Sequence, residues 1–117
     1  MFDAAAADYA RYRPGIPEEA VRLLAETLEG IRRPALLDLG TGTGQVPAAL
    51  LPAAPQIARV DLVDPDRDML REATAVLRPS LGDRPSAFHP VRAEEFTPPC
   101  DGYQAHLITC ARSIHPV

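Results

Sequence analysis

Lysine, asparagine and tryptophan are missing from this sequence, and aromatic residues make up only 5% of it. With so few rings, the core has to be built from Leu, Val, Ile and Ala. All 12 basic residues are arginine; with the abundance of Ala and Pro, this matches high-GC coding, and no function is read from it. The arginines are scattered, Arg32-Arg33 being the only adjacent pair, and the formal net charge is −4. A nucleic-acid binder concentrates basic charge on one face, so no nucleic-acid partner is expected. Cys100 and Cys110 are too few for a disulfide framework or a metal site; no metal is expected, and both read as thiols in a reducing cytoplasm. No stretch approaches the roughly 18 apolar residues of a membrane span. The start, Met1-Phe2-Asp3-Ala4, lacks the basic segment and long apolar run of a secretory signal. A cytoplasmic protein without membrane association is expected.

What is present suffices for a fold. Apolar residues form 46% of the 117 residues, enough for one globular domain at the short end of the usual range. Residues 1–16 read as an irregular lead-in that Pro14 and Gly15 keep from being one helix. Pro17-Glu18-Glu19 then reads as a helix start, with Val21, Leu24 and Leu28 beside Ala20 and Leu23 as its apolar positions and Gly30 as its stop. Residues 35–39 are a short apolar run ending in glycines, as a buried parallel strand would be. A second helix is predicted over 45–53 and a second strand over 57–63. A third helix follows over 66–77, capped by Asp66 and carrying Met69, Leu70, Ala73, Val76 and Leu77. A loop over 79–85, a weaker strand over 87–91 and a fourth strand over 103–109 complete the pattern. Alternation of this kind predicts an α/β fold, a mostly parallel Rossmann-like sheet with helices on both faces and right-handed crossovers. The link between the last two strands is only about 11 residues, short for a helical crossover, so a single turn or no helix is expected there.

The chemistry centres on Asp38-Leu39-Gly40-Thr41-Gly42-Thr43-Gly44, directly after a strand and before a helix. Glycines let the backbone turn sharply and approach a ligand, and amides at a helix start offer donors to a polar group. Asp38, at the strand's carboxyl end, is placed to take a ligand's ammonium group, directly or through water. A plain glycine-rich turn is the alternative. The spacing departs from the dinucleotide fingerprint, because Gln45 follows Gly44. The second signal is Asp64, 24 residues beyond Gly40 at the end of the second strand. There a carboxylate can accept from both hydroxyls of a ribose; a dipole-stabilised acid at a helix start is the competing reading, shared with Asp66.

Asp38 to Gly44 together with Asp64 resemble the cofactor motifs of class I S-adenosylmethionine-dependent methyltransferases. Asp8-Tyr9-Ala10-Arg11-Tyr12-Arg13-Pro14-Gly15-Ile16-Pro17 is similar to the Y-x-x-Y-R-P-x-Y-P segment of one small-molecule branch. Ala93-Glu94 resembles the A-E pair after that family's third strand, and residues 107–115 resemble its fourth strand with an A-x-x-(L/F)-H ending. The four pieces occur in the family's order and span nearly the whole chain. The resemblance implies S-adenosylmethionine as cofactor and a small-molecule methyl acceptor. It places Asp38, Gly40, Thr41, Gly42 and Gly44 at the methionine end and Asp64 on the ribose, with Pro65 and Met69 beside the adenine. Ala93 and Glu94 would address the adenine edge, Cys110 would back the sulfonium, and Tyr12 and Arg13 would fold over the site. Each has a plainer rival: Met69 as core, Arg13 and Glu94 as solvated charge, Cys110 as an inert buried thiol. His115 is the candidate general base for an acceptor that must lose a proton.

Departures accompany the likeness. Ile16 stands for the usual Tyr, Val91 for Gly, His106 for an acid, and Pro116 for the Trp after His115. By the resemblance the chain carries about four strands, in the order 3-2-1-4, of a sheet that usually has seven. The expectation is a partial methyltransferase domain over 1–117, with 1–16 lying over the cofactor. The strand at 103–109 would then present an open edge suited to a homodimer or a complementing chain. A cofactor-binding module without turnover is the alternative function, and an NAD-linked oxidoreductase fragment the third.

Overall fold

The structure is a computed structural model that describes residues 17–110. The lead-in with Tyr12 and Arg13, and the stretch with His115, lie outside the described residues. The chain runs α1 (Glu18–Thr27), β1 (Ala35–Leu39), α2 (Gln45–Ala53), β2 (Arg59–Val63), α3 (Arg67–Leu81), β3 (Ser86–His89), a 3₁₀ turn (Ala93–Glu95) and β4 (Leu107–Thr109). All four strands are parallel, in the order β3-β2-β1-β4. This is the α/β sheet and strand order expected, although the three α-helices of the described residues pack in one cluster rather than on both faces.

The crossovers from β1 to β2 and from β2 to β3 step the same way across the sheet. Right-handed connections therefore put α2 and α3 on one face, where α1 packs against α2. Side-chain alternation turns Leu36, Val60, Leu62, Phe88 and Leu107 toward that face. They meet Val21, Leu28, Leu50, Leu51, Leu70, Ala73, Leu77 and Leu81 in one apolar cluster. Leucines buried this completely contribute roughly 1.5–3 kcal/mol each.

The other face is covered by the β3–β4 connection with its 3₁₀ turn, and its centre is polar. Asp61 is fully buried on β2. It accepts from Arg59 Nε and Nη2 (2.8 and 3.1 Å) and from His89 Nε2–H (2.9 Å). Burial pushes its carboxyl up, but the Arg59 and His89 hydrogen bonds and charges outweigh that and hold it below the usual carboxylate range. Phe96 lays its ring edge-on to His89, centroids 5.0 Å apart, which anchors the connection to the sheet. No helix among the described residues is long and apolar enough to cross a membrane.

Element ends differ from the sequence reading for identifiable reasons. The third helix was predicted to stop at Leu77 before a loop over 79–85, yet it runs to Leu81 with Pro79 inside it. Leu81 is buried one turn beyond Leu77, so the last turn gains core contact, and Gly82 N–H closes it on the Arg78 carbonyl at 3.2 Å. Val76 and Leu23, both placed on apolar stripes, are 58% and 56% exposed. Each lies about 100° round its helix from a neighbour, Leu77 or Leu24, that faces the core. The second strand begins at Arg59 rather than 57, because Ile57 N–H turns back to the Ala54 carbonyl at 3.1 Å. β3 spans Ser86–His89 rather than 87–91, stopped by Pro90, which has no N–H to extend the ladder. β4 is only Leu107–Thr109, not 103–109. There His106 N–H donates to the Ala35 carbonyl (2.9 Å), but Ala35 N–H donates to the His106 ring Nδ1 (3.0 Å) in place of a main-chain carbonyl, so main-chain pairing does not continue back toward 103.

Candidate cofactor site

The chain steps from β1 to β2 to β3 in one direction and then returns to place β4 on the other side of β1. The reversal is a topological switch point, and open α/β sheets bind ligands in the crevice outside the carboxyl ends of the strands at such a point, here β1 and β4. Asp38 from β1 and Thr109 from β4 are paired neighbours flanking it.

The loop after β1 is held from several sides. Thr41 N–H donates to the Val63 carbonyl (3.0 Å), and Gly44 N–H to the Thr41 carbonyl (3.0 Å). The Thr41 hydroxyl donates to the Asp38 carbonyl (3.0 Å). Gly42 N–H donates to Asp64 Oδ2 at 2.8 Å, while Asp66 N–H donates to Asp64 Oδ1, also at 2.8 Å. The amides of Thr41, Gly42 and Gly44, expected to serve a ligand, are thus engaged in shaping the loop. Asp64 is only 8% exposed and ties the glycine loop to the start of α3. Each of its oxygens accepts one hydrogen bond from the described residues and keeps a second lone pair for a hydroxyl.

Two of the glycines are demanded by geometry. Gly42 adopts φ +59° while turning its N–H into the Asp64 carboxylate. Gly44 has φ +88°, and a Cβ there would stand 3.2 Å from both Ala73 Cβ and Leu77 Cδ1. Gly44 is the N-cap of α2, which no side chain caps, and its bare Cα lets that helix start lie against α3.

Asp38 is 1% exposed. Its Oδ1 accepts from the Thr109 hydroxyl, whereas Oδ2 is buried with no partner among the described residues. Burial chiefly pushes its carboxyl up to about 6; the Thr109 and Thr41 hydroxyls pull it back, and the nearby Asp64 charge adds to the rise. A buried acceptor without a donor is a costly arrangement, and a cationic N–H group in the crevice would relieve it.

The other predicted residues within the described part of the chain follow the carboxyl ends of β2, β3 and β4. Pro65 is exposed, and Met69 is half-buried in the first turn of α3, its N–H held by Asp66 Oδ1 at 3.2 Å. Ala93 and Glu94 are exposed in the 3₁₀ turn that follows β3. Glu95, rather than Glu94, stabilises that turn, accepting from Arg92 N–H at 3.1 Å. Cys110 is half-buried directly after Thr109. Thr109 itself was missed from the sequence; its signal was a polar residue closing an apolar strand in register with Asp38.

No family model matches the chain, and no curated protein matches it. Among solved structures, the YcgJ protein of Bacillus subtilis superposes with a TM-score of 0.60 at 24% identity, over 80% of this chain and 38% of that one. A Bacillus halodurans protein, provisionally described as a methyltransferase, gives 0.58 at 24% identity over 79% and 37%. A methyltransferase from Geobacter sulfurreducens gives 0.51 at 30% identity over 74% and 45%. The chain shares their fold and spans less than half the length of each of these structures.

Proposed function

We propose that this chain binds S-adenosylmethionine at the carboxyl edge of its sheet, as the cofactor-binding part of a methyltransferase that acts on a small-molecule acceptor. The observation that carries the reading is the buried Asp38 carboxylate, one oxygen clamped and the other unpartnered, at the crevice between β1 and β4. The similarity to the Geobacter sulfurreducens methyltransferase supports it.

The residues present fit the cofactor. S-adenosylmethionine carries an ammonium, a sulfonium and one carboxylate, a net positive charge. The Asp64 charge adds to the cost of ionising Asp38, so a cation beside Asp38 is the ligand that lowers it. An anionic diphosphate would meet two carboxylates instead, which disfavours an NAD-linked enzyme. In this reading Asp38 Oδ2 accepts from the ammonium group and the spare lone pairs of Asp64 accept from the ribose hydroxyls. Pro65 and Met69 flank the adenine, Ala93 and Glu94 meet its edge, and Cys110 backs the sulfonium. Bound there, the cofactor supplies an activated methyl group. The protein's contribution is then to hold that methyl in line with an acceptor and to keep water away. Tyr12 and Arg13 as a cover, and His115 as a base, complete the reading.

Calorimetric titration tests it. S-adenosylhomocysteine should bind and NAD should not, and Asp64→Ala should weaken binding about 10- to 100-fold, the worth of one or two charge-assisted hydrogen bonds. Unchanged affinity in Asp64→Ala, or equal binding of NAD, would overturn the assignment. A methyl-transfer screen against small acceptors then separates turnover from binding alone.

A further inference from the structure

Asp38 is in direct contact with a residue on a different strand, and that contact engages one of its two carboxylate oxygens and leaves the other without a partner among the described residues. We propose that Thr109 is a positioning residue for the cofactor site: its hydroxyl fixes Oδ1 of Asp38 (2.5 Å) and leaves Oδ2 as the acceptor for the ammonium group of the ligand. The proposal deepens the S-adenosylmethionine reading and rests on it.

The geometry leaves Thr109 little other use. It is 9% exposed, the last residue of β4, and stands in register with Asp38 on β1. A buried threonine at the end of a three-residue strand of Leu, Ile and Thr has no apolar advantage over valine. Its contact distance lies in the range of a charge-assisted O–H···O⁻ bond. A hydroxyl has one proton to give, and that of Thr41 goes to the main-chain oxygen of Asp38. Among the described residues Thr109 therefore holds Oδ1 directly, and the Thr41 hydroxyl adds a smaller pull on the carboxyl. The other charge acting on Asp38 is Asp64, from the end of β2, which opposes ionisation. Without the Thr109 hydroxyl, Asp38 would be buried beside a like charge with neither oxygen held. It would stay protonated to higher pH and would rotate freely between two poor acceptor positions.

Two measurements on the full chain test this, one of them independent of any ligand. Carbon-13 carboxyl NMR of the ligand-free protein follows Asp38 itself: Thr109→Val should raise its titration midpoint by about one pH unit, and Thr109→Ser should leave it near the wild-type value. Calorimetry with S-adenosylhomocysteine should then show Thr109→Val about tenfold weaker at pH 5.5 and within about twofold of wild type at pH 8, with Thr109→Ser restoring the profile. An unchanged Asp38 midpoint in Thr109→Val overturns the proposal, as does an equal loss of affinity at both pH values, which marks a packing defect. A shifted midpoint in a wild-type background that binds no S-adenosylhomocysteine keeps the Thr109–Asp38 clamp and overturns the cofactor reading instead.

Discussion

At the scale of one residue, Asp38 sets the site's chemistry against the fold's stability. Its carboxyl titrates near 6 in the folded chain against 3.8 when unperturbed. A raised acid favours folding most while it is protonated. The stabilisation is complete below about pH 4 and is lost as pH rises through about 6, a difference of about 3 kcal/mol across that window. Asp38→Asn keeps an oxygen for Thr109 and removes the ionisable group. In the ligand-free chain it should raise stability at pH 7.5 by about 1–2 kcal/mol, with the gain gone at pH 4.5. Urea unfolding at the two pH values reads this, and a variant less stable than wild type at pH 7.5 would refute it. The same substitution should cost affinity for S-adenosylhomocysteine, because an amide cannot match a carboxylate as partner to an ammonium. Such a trade of stability for binding is typical where a group is placed for a ligand rather than for the core. Asp38 and Asp64 were legible in the sequence because acids at the ends of apolar strands stand out. Thr109 was not, since its partner lies 71 residues away and only the strand order brings them together.

At the scale of the element, the glycine loop is fastened by the helices it joins. Gly44 starts α2 against Ala73 and Leu77 of α3, and its Cα hydrogen occupies space a methyl would need. Gly44→Ala must accept a left-handed backbone, worth about 1 kcal/mol, and push on two core side chains. A loss of about 2–3 kcal/mol in urea unfolding is expected, with the midpoint falling and the slope unchanged. A loss under about 0.5 kcal/mol would show that α2 can slide away from α3 without cost. Periodicity located the helices and strands of the described residues, because each has a face that must meet the core. It failed at the ends, where single contacts decide. Pro79 reads as a stop, yet Leu81 holds the turn beyond it; residues 103–106 read as strand, yet the His106 ring takes the hydrogen bond that a carbonyl would have taken. Such substitutions of side chain for main chain leave no periodic trace.

At the scale of the whole molecule, the site is where separate parts of the chain converge. Asp38 comes from β1, the glycine loop leads into α2, Asp64 joins β2 to α3, and Thr109 ends β4. Each part carries an unfavourable feature while no cation is present: a buried like-charge pair, an unpartnered oxygen, and glycines in a left-handed backbone. A ligand touching all of them binds only the folded arrangement, so its affinity adds directly to stability. S-adenosylhomocysteine at about 100 times its dissociation constant should therefore stabilise the chain by about 2.7 kcal/mol. In a domain of this size that raises the melting temperature by about 10–20 °C. NAD at equal concentration should shift it by less than about 1 °C. Hydrogen exchange should localise the effect, with added protection at residues 38–44 and 64–66 and at 107–109, and little change at the Arg59–Asp61–His89 cluster on the opposite face. Protection spread evenly over both faces would mean that the ligand tightens the fold without sitting in the crevice. No shift at all would mean that the carboxylates at this edge serve the loop alone.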